Sequence, residues 1–559
     1  MASKDKFVYA PSTMDIGRSS WKQPKRVVGT IQHGDLVCLV KKFVMPGDTF
    51  NCKISSFIRM TTPIAPIMDN IYQSVAAFYV PHRLVWNKAK QFYGENEEGY
   101  GIATEIEMPC VPSSAVSIYK KHLLEVDSTG VVVENRLNSF GAYMRYVSDE
   151  DLHSESYGPS DMTPINVLKL WAYLRVYNDW FRNQNYQSPY LWDHDWSGVD
   201  LNREYFATRD GDTINGYSPV PKVQRKVDFF TSMLPYAQKG NPASLPLGSM
   251  APIYFKPDGT GSIMYNQGVS LAATNAAASG TITSLFGKTQ STNATGQVFA
   301  NLAEATAASV SAVRTAFAVQ KYLECLSRSG SRYREYIKSM FNVSIDDKTA
   351  QMPEYLGGFE FPINISTLAQ TTGHESGSNS SLGQLGAVSQ TGHSDSLFTK
   401  SFTEPGTLII VAYTKHDQTY SQGIDYDDMK YNVLEFYNPK FANLSETSYP
   451  KGLLRFTGLN VQDKVPFAFH EAWATDRFER DEVFGLINPA VSNSLDFWTL
   501  ARKFDNAPTA TSSFFEESRD SILRCTTDSQ FDYISDFLID MITTRPMPLY
   551  SIPGLVDHH

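Results

Sequence analysis

The chain has 559 residues and a formal net charge of −10, with 42% hydrophobic, 13% aromatic and only 19% charged residues. Sparse charge with many rings suits large buried interfaces, where aromatics are enriched and charges depleted. The negative sign excludes a surface that holds nucleic acid over its whole extent, so any such contact is local or delegated to a basic partner.

In chain order, MASKDKFVYAP lacks the apolar stretch of a signal peptide, and the most apolar run, LIIVA at 408–412, is far too short to span a bilayer. The five cysteines (38, 52, 110, 325 and 525) contain no C-x-x-C pair. They read as reduced thiols, not as a disulfide framework or zinc site. The expectation is a protein made and folded in cytosol, with no membrane span. WKQPKR then supplies a small basic arm of Lys22, Lys25 and Arg26.

Residues 35–90 read as strands. DLVCLVKKFV and TFNCKISSFIRM flank a Met-Pro-Gly-Asp turn, and IYQSVAAFYVPHRLVW follows with Pro81 interrupting it. Period two puts Leu36, Cys38 and Val40 on one face. TPINVLKLWAYLRVYNDWF predicts a helix capped by Thr163, with Pro164 at its first position. Val167, Trp171, Leu174, Tyr177 and Phe181 form its apolar face. SAVRTAFAVQKYLECLSRSG predicts a second helix, with Val313, Phe317 and Leu326 on its apolar side and Gly330 as its stop. SRYREYIKSMF predicts a shorter one. GTLIIVAYTK at 406–415 reads as a buried strand, and VPFAFHEAW at 465–473 carries a shorter apolar run. Residues 268–311 and 371–396, rich in small polar residues, read as long surface loops. Strands near both ends with helices and loops between them predict a mainly β fold, a sandwich with greatly expanded connections. No repeat period is visible.

No catalytic motif stands out: G-x-S-x-G, H-E-x-x-H and Walker-type loops are all missing. Asp193, His194 and Asp195 are adjacent but point in different directions, and zinc needs three or four convergent ligands. TRDGDT at 208–213 and DYDD at 425–428 match no calcium loop and read as solvated acidic turns. No metal or other cofactor is expected. Asn342 and Asn443 match the glycosylation pattern, which carries no meaning in a cytosolic product. SRSGSRYREYIK interleaves Arg328, Arg332, Arg334 and Lys338 with Tyr333 and Tyr336. Such a pattern can track a phosphate backbone while bases stack on rings. It equally describes a solvated helix face with its tyrosines packed inward. In the ending RPMPLYSIPGLVDHH, Pro546, Pro548 and Pro553 stiffen a segment that carries Met547, Leu549, Tyr550, Ile552, Leu555 and Val556. A stiff apolar tail needs a surface to lie on.

MPGDTFNCKISSFIRMTTPIAPIMDNIYQSVAAFYVPHRLVW at 45–86 resembles the N-terminal block of microvirus major capsid proteins, especially the gokushovirus branch. VYNDWFRNQN, DFFTSMLPYAQKG…SLPLG, VRTAFAVQKYLE…GSRYREYIKSMFNV…PEYLGG, LDFWTLARKF and the ending follow in the family's order. The stretches 96–160 and 252–310 match nothing in the family, and VAAFYV stands where the family often has a Phe-rich strand. The resemblance implies a viral jelly-roll β-sandwich, with strands mainly from 35–90 and 400–559 and large helical and loop insertions over 91–399. It implies one capsid subunit of a small T=1 icosahedral shell around single-stranded DNA, assembled in a bacterial cytoplasm as part of the virion. Partners implied are other copies of the chain, the genome, a small basic internal DNA-binding protein and a bacterial surface receptor. A protrusion loop at 252–310 would contribute to host attachment. Lys22, Lys25, Arg26, Arg328, Arg332, Arg334 and Lys338 become candidates for facing DNA. Pro546, Met547, Pro548, Leu549, Tyr550, Pro553 and Leu555 become candidates for docking within the shell. The rival class is a carbohydrate-active enzyme or glycan-binding sandwich, recognisable by an aromatic groove with two facing carboxylates.

Overall fold

The structure is a computed structural model that describes residues 17–95, 106–111, 140–146, 165–192, 194–195, 220–243, 253–256, 297–300, 310–369 and 385–550. Thr163 and Pro164 lie outside the described residues, as do Asp193, 208–213 and most of 252–310. The chain forms two compact units, Met1–Ala237 with Ser329–His559, and Gln238–Arg328.

Nine strands of the larger unit make two antiparallel sheets. They are β1 (Ser19–Lys22), β2 (Lys25–Ile31), β3 (Val37–Val44), β4 (Thr49–Met60), β5 (Ile71–Pro81), β6 (Glu354–Pro362), β7 (Thr391–Ser401), β8 (Gly406–His416) and β9 (Tyr533–Arg545). In the first sheet β9 lies between β4 and the pair β1 and β2, and β7 lines the far side of β4. The second runs β6–β5–β8–β3. The register between β9 and β4 extends from Tyr533↔Met60 to Thr544↔Thr49.

The sheets share an apolar layer. Phe50, Ile54 and Ile58 of β4 and Phe537, Ile539 and Met541 of β9 meet Val75, Ala77, Leu408 and Ile410 of the second sheet. Alternate residues of β9 fill this layer, whereas Ile534, Leu538 and Ile542 between them are exposed. The second sheet is buried on both faces. Its other face, with Ala76, Phe78, Val80, Ile409 and Val411, packs against the helix α1 (Leu168–Val176). This explains why β8 reads as one continuous apolar run while β9 alternates.

Two sequence expectations shift. Leu36 and Cys38 lie in the layer against α1, but Val40 lies between the sheets. The reason is an irregularity in the ladder: Ile410 pairs with Val40 and Val411 with Cys38, leaving Leu39 extra. A one-residue bulge moves every later side chain to the opposite face. The first helix also begins later than expected. Ile165–Asn166 pairs with Cys110–Val111 as a short ribbon, and the Asn166 side chain accepts from the Leu168 N–H at 2.9 Å. Its predicted apolar face is buried throughout, and Leu170, Tyr173 and Val176 are buried too. A helix apolar nearly all round belongs inside a protein.

In the smaller unit, α2 (Val310–Arg328) covers the second predicted helix, and Gly330 follows with φ of +90°. Its expected apolar side is only partly covered: Val313 and Leu326 are half-buried, but Phe317 is 64% exposed. Ile253–Lys256 pairs antiparallel with Gln297–Ala300 in the same unit. Back in the larger unit, α3 (Tyr333–Phe341) ends at Asn342, whose left-handed φ of 54° lets its N–H reach the Lys338 carbonyl at 2.9 Å.

His82 anchors the exit of β5. It is buried, with Nδ1 2.9 Å from the Tyr93 hydroxyl and Nε2 3.2 Å from Thr407 Oγ1. Desolvation lowers its pKa to about 4, against a smaller opposing effect of a hydrogen bond with the Gly406 backbone. The folded state therefore holds a neutral imidazole that the unfolded chain protonates near its ordinary pKa of about 6.5. The resulting stability is present above that pH and is lost as pH falls toward 4. The loss should reach about 3 kcal/mol, at 1.36 kcal/mol per pKa unit. Urea midpoints of unassembled subunits at stepped pH should show this decline, and His82→Gln should flatten it.

Candidate assembly surface and basic clusters

Residues 420–515 carry little regular structure. A ribbon of Glu446–Pro450 against Pro466–Glu471 and several short 3-10 turns gather on a third core containing Phe230, Tyr420, Tyr449, Leu454, Phe514 and Phe515. Polar ties fix the loops. Arg480 donates to the carbonyls of Gly423, Ile424 and Leu453 at 3.3, 3.2 and 2.6 Å. Asp463 accepts from the Thr457 N–H at 2.9 Å and its hydroxyl at 2.7 Å.

On this held backbone, apolar side chains point to solvent. Val433 and Val461 are each 86% exposed and Phe484 is 88% exposed; Tyr431, Leu434, Phe478 and Leu486 are more than half exposed. Scattered exposed apolar residues are ordinary, but so many in one region mark a surface meant to be covered. The outward face of the first sheet adds Val28, Ile534, Leu538 and Ile542.

The ending behaves alike as far as it is described. Pro546 is half-buried, with its ring beside Gly47, whereas Met547, Pro548, Leu549 and Tyr550 are exposed. Pro553 and Leu555 lie outside the described residues. The apolar residues from 547 to 550 are thus not covered by their own subunit.

The seven candidate cations do not form one patch. Lys22 and Arg26 share the outward face of the first sheet, paired with Asp540 at 3.3 Å and with Asp536, where Nε meets Oδ1 at 2.9 Å. Lys25 points to the opposite face, opposite Ile539 in the ladder. Its Nζ is 3.4 Å from the Leu39 carbonyl, and partial desolvation, with the nearby Arg145 charge, lowers its pKa. Arg328 ends α2 in the smaller unit. Arg332 donates to the carbonyls of Asp179 at 2.7 Å and Arg182 at 3.0 Å, clamping the turn that follows α1. Arg334 pairs with Asp347 at 2.9 Å and lies 4.5 Å over the Trp180 ring. Lys338 is exposed, as is Tyr333, while Tyr336 is half-buried. Neither the apolar loops nor the clamp was legible beforehand, because both depend on which distant segments meet. Elsewhere, Asp195 accepts from the Asn87 side chain at 2.6 Å. Asp425 and Asp427 pair with Arg480 and Lys430 at 3.0 and 2.6 Å. Among the described residues no helix is long and apolar enough to cross a membrane.

A two-sheet body whose loops carry many exposed apolar side chains is the form expected of a subunit that assembles with copies of itself. The chain belongs to the phage capsid protein (F protein) family, whose sequence model matches residues 11–146 and 160–555. It is 28% identical to capsid protein VP1 of Spiroplasma virus 4, over 97% of this chain and 96% of that protein. The VP1 capsid proteins of Bdellovibrio phage phiMH2K and Chlamydia phage 1 are 28% and 27% identical, over 98% and 99% of this chain and 97% and 98% of theirs. All three relatives are from Microviridae. The chain is a structural major capsid protein and a component of the virion.

The clamp makes a test at single residues. Arg332→Gln should cost about 1–2 kcal/mol, because two part-buried carbonyl contacts lose a charged donor. Lys338→Gln on the same element should stay within about 0.5 kcal/mol. Denaturant unfolding of the two variants measures the difference.

Proposed function

We propose that this subunit builds a small T=1 icosahedral shell around a single-stranded DNA genome, acting structurally and not as an enzyme, and that its sandwich is of the viral jelly-roll type. The observation that carries this reading is the exposed apolar surface of residues 420–495 on an otherwise well-packed subunit. Burial of those side chains against neighbouring copies supplies the association energy. The ending past Pro546 is held by the shell, along the inner face of its own subunit or on a neighbour, and its prolines limit the freedom lost on docking.

The genome is a dense polyanion and the subunit carries −10, so long-range electrostatics alone repel it. A small basic internal protein shares the neutralisation, and a subset of Lys22, Lys25, Arg26, Arg328, Arg332, Arg334 and Lys338 faces the interior. Carboxylates beside Lys22, Arg26, Arg332 and Arg334 weaken the pull of those four on phosphate, which supports delegating much of that role. Contacts are to phosphate or by stacking, without base preference. Residues 252–310 form an outward protrusion that contributes to attachment to a bacterial receptor. The antiparallel stem of Ile253–Lys256 with Gln297–Ala300 supports a long loop carried on two strands.

Assembly tests the central claim. Combining Val433→Asp, Val461→Asp and Phe484→Asp should leave folding stability within about 0.5 kcal/mol per site, since each is exposed in the subunit. Closed shells in negative-stain images should be lost. Deleting residues 546–559 should likewise leave a soluble β-rich subunit without closed shells. Normal particles from both variants would remove the basis of this reading. For the genome, Lys22→Gln, Arg26→Gln and Lys338→Gln together should lower the DNA content of purified particles more than the yield of empty shells.

A further inference from the structure

Three segments distant in sequence meet at one end of the sandwich: His33 just after β2, His416 closing β8, and Glu517 shortly before the helix Asp520–Cys525. All three side chains have 0% exposure. His33 Nε2 is 2.9 Å from His416 Nδ1, and Glu517 Oε1 is 3.1 Å from His416 Nδ1 and 3.6 Å from His33 Nε2. A tetrahedral ion with bonds of about 2.0–2.1 Å separates its ligand atoms by about 3.3 Å. The observed triangle, with edges of 2.9, 3.1 and 3.6 Å, straddles that value.

The outer side of each imidazole is also held. His33 Nδ1 lies 3.0 Å from the Tyr533 hydroxyl and 3.2 Å from Thr414 Oγ1. His416 Nε2 lies 3.3 Å from the Gln418 side-chain nitrogen, and the Gln418 oxygen accepts from Arg225 at 3.1 Å. In ordinary metal sites the outer ring nitrogen donates to such a partner; the Tyr533 and Thr414 oxygens can accept from His33, whereas the Gln418 amide presents a donor to His416 and has to turn over first. A second observation points the same way: Glu517 Oε2 is buried without a hydrogen-bond partner, a costly state for a carboxylate oxygen.

We propose that His33, His416 and Glu517 form a buried structural site for a divalent transition-metal ion of the zinc class. The ion ties the β2 exit, the end of β8 and the 517 turn together through three protein ligands, with Glu517 Oε2 close enough to bind it as a second, bidentate oxygen. Two imidazoles with one carboxylate favour zinc or cobalt over the oxygen-seeking calcium and magnesium. Arg225, 3.1 Å from Glu517 Oε1, opposes any dication by its charge and so selects further against ions held by charge alone. The protons balance. In the metal-free network the Gln418 donor assigns the His416 proton to Nδ1; on binding it moves to Nε2, and the Gln418 amide turns over so that its oxygen accepts it. Arg225 thereby loses the Gln418 oxygen, whose place the amide NH2 takes, and keeps the Phe514 carbonyl, Glu517 and Ser518; that lost hydrogen bond is a cost the metal bonds must outweigh.

The experiment uses the full chain, stripped with chelator and dialysed against zinc or cobalt alone. Elemental analysis should find a single ion per chain, and cobalt should give the visible absorption of a four-coordinate nitrogen and oxygen site. Zinc, but not magnesium, should raise the melting temperature, since it binds the native state. Glu517→Gln and His416→Gln should weaken binding at least tenfold. If either variant fails to fold, the cobalt spectrum of the unaltered chain decides. Absence of stoichiometric zinc or cobalt in the unaltered chain, or full stoichiometry in both folded variants, overturns the assignment.

Discussion

The apolar layer between the two sheets sets the terms for everything built on them. Phe50, Ile54, Ile58, Phe537, Ile539 and Met541 can be withdrawn from water only if β4 and β9 lie over β5 and β8 in one register. A slip of one residue would expose the whole set. Once that register is fixed, the opposite face of the second sheet becomes a platform. The platform in turn demands a helix apolar on almost every side, which α1 supplies. Arg332 and Arg334 then act from α3 on the turn that ends this helix, so even the cationic stretch is arranged around the layer beneath it.

The subunit's packed interior and its exposed apolar side chains are separate in place. The interior is the sandwich and the third core; the exposed apolar groups stand on loops that the third core and hydrogen bonds together hold in place. This separation lets a subunit be folded and still unfinished. It also fits the composition: rings and aliphatic groups serve both the packed interior and the exposed loops.

How much of this was readable beforehand depended on range. The continuous run of β8, the apolar face of α1 and the Pro-Gly-Asp turn after β3 are local patterns, and the structure contains them. The bulge at Leu39 was hidden because it is defined by the partner strand, not by β3 itself. Phe317 sits at a helical spacing that normally means burial, yet spacing says nothing of whether a neighbour covers it. Lys22 and Arg26 look like free cations until Asp536 and Asp540, from the other end of the chain, arrive beside them. The adhesive loops look like ordinary connections because solvent exposure has no periodicity. His33, His416 and Glu517 stand in three unrelated contexts and share no spacing that a motif would capture. The ordered series of family blocks carried the fold and class where local chemistry alone reached only a large β-rich assembly.

One consequence follows from the place of β9. It is an interior strand, with β1 and β2 on one side and β4 on the other, yet it is encoded after more than five hundred residues. During synthesis from the N-terminus the first sheet stays split until this strand emerges. A product interrupted upstream of Tyr533 lacks the piece that joins its halves, so it cannot present a sound body to its neighbours. Length is thereby coupled to folding by topology: a polypeptide that stops short of this strand leaves the two parts of its first sheet without the strand that joins them.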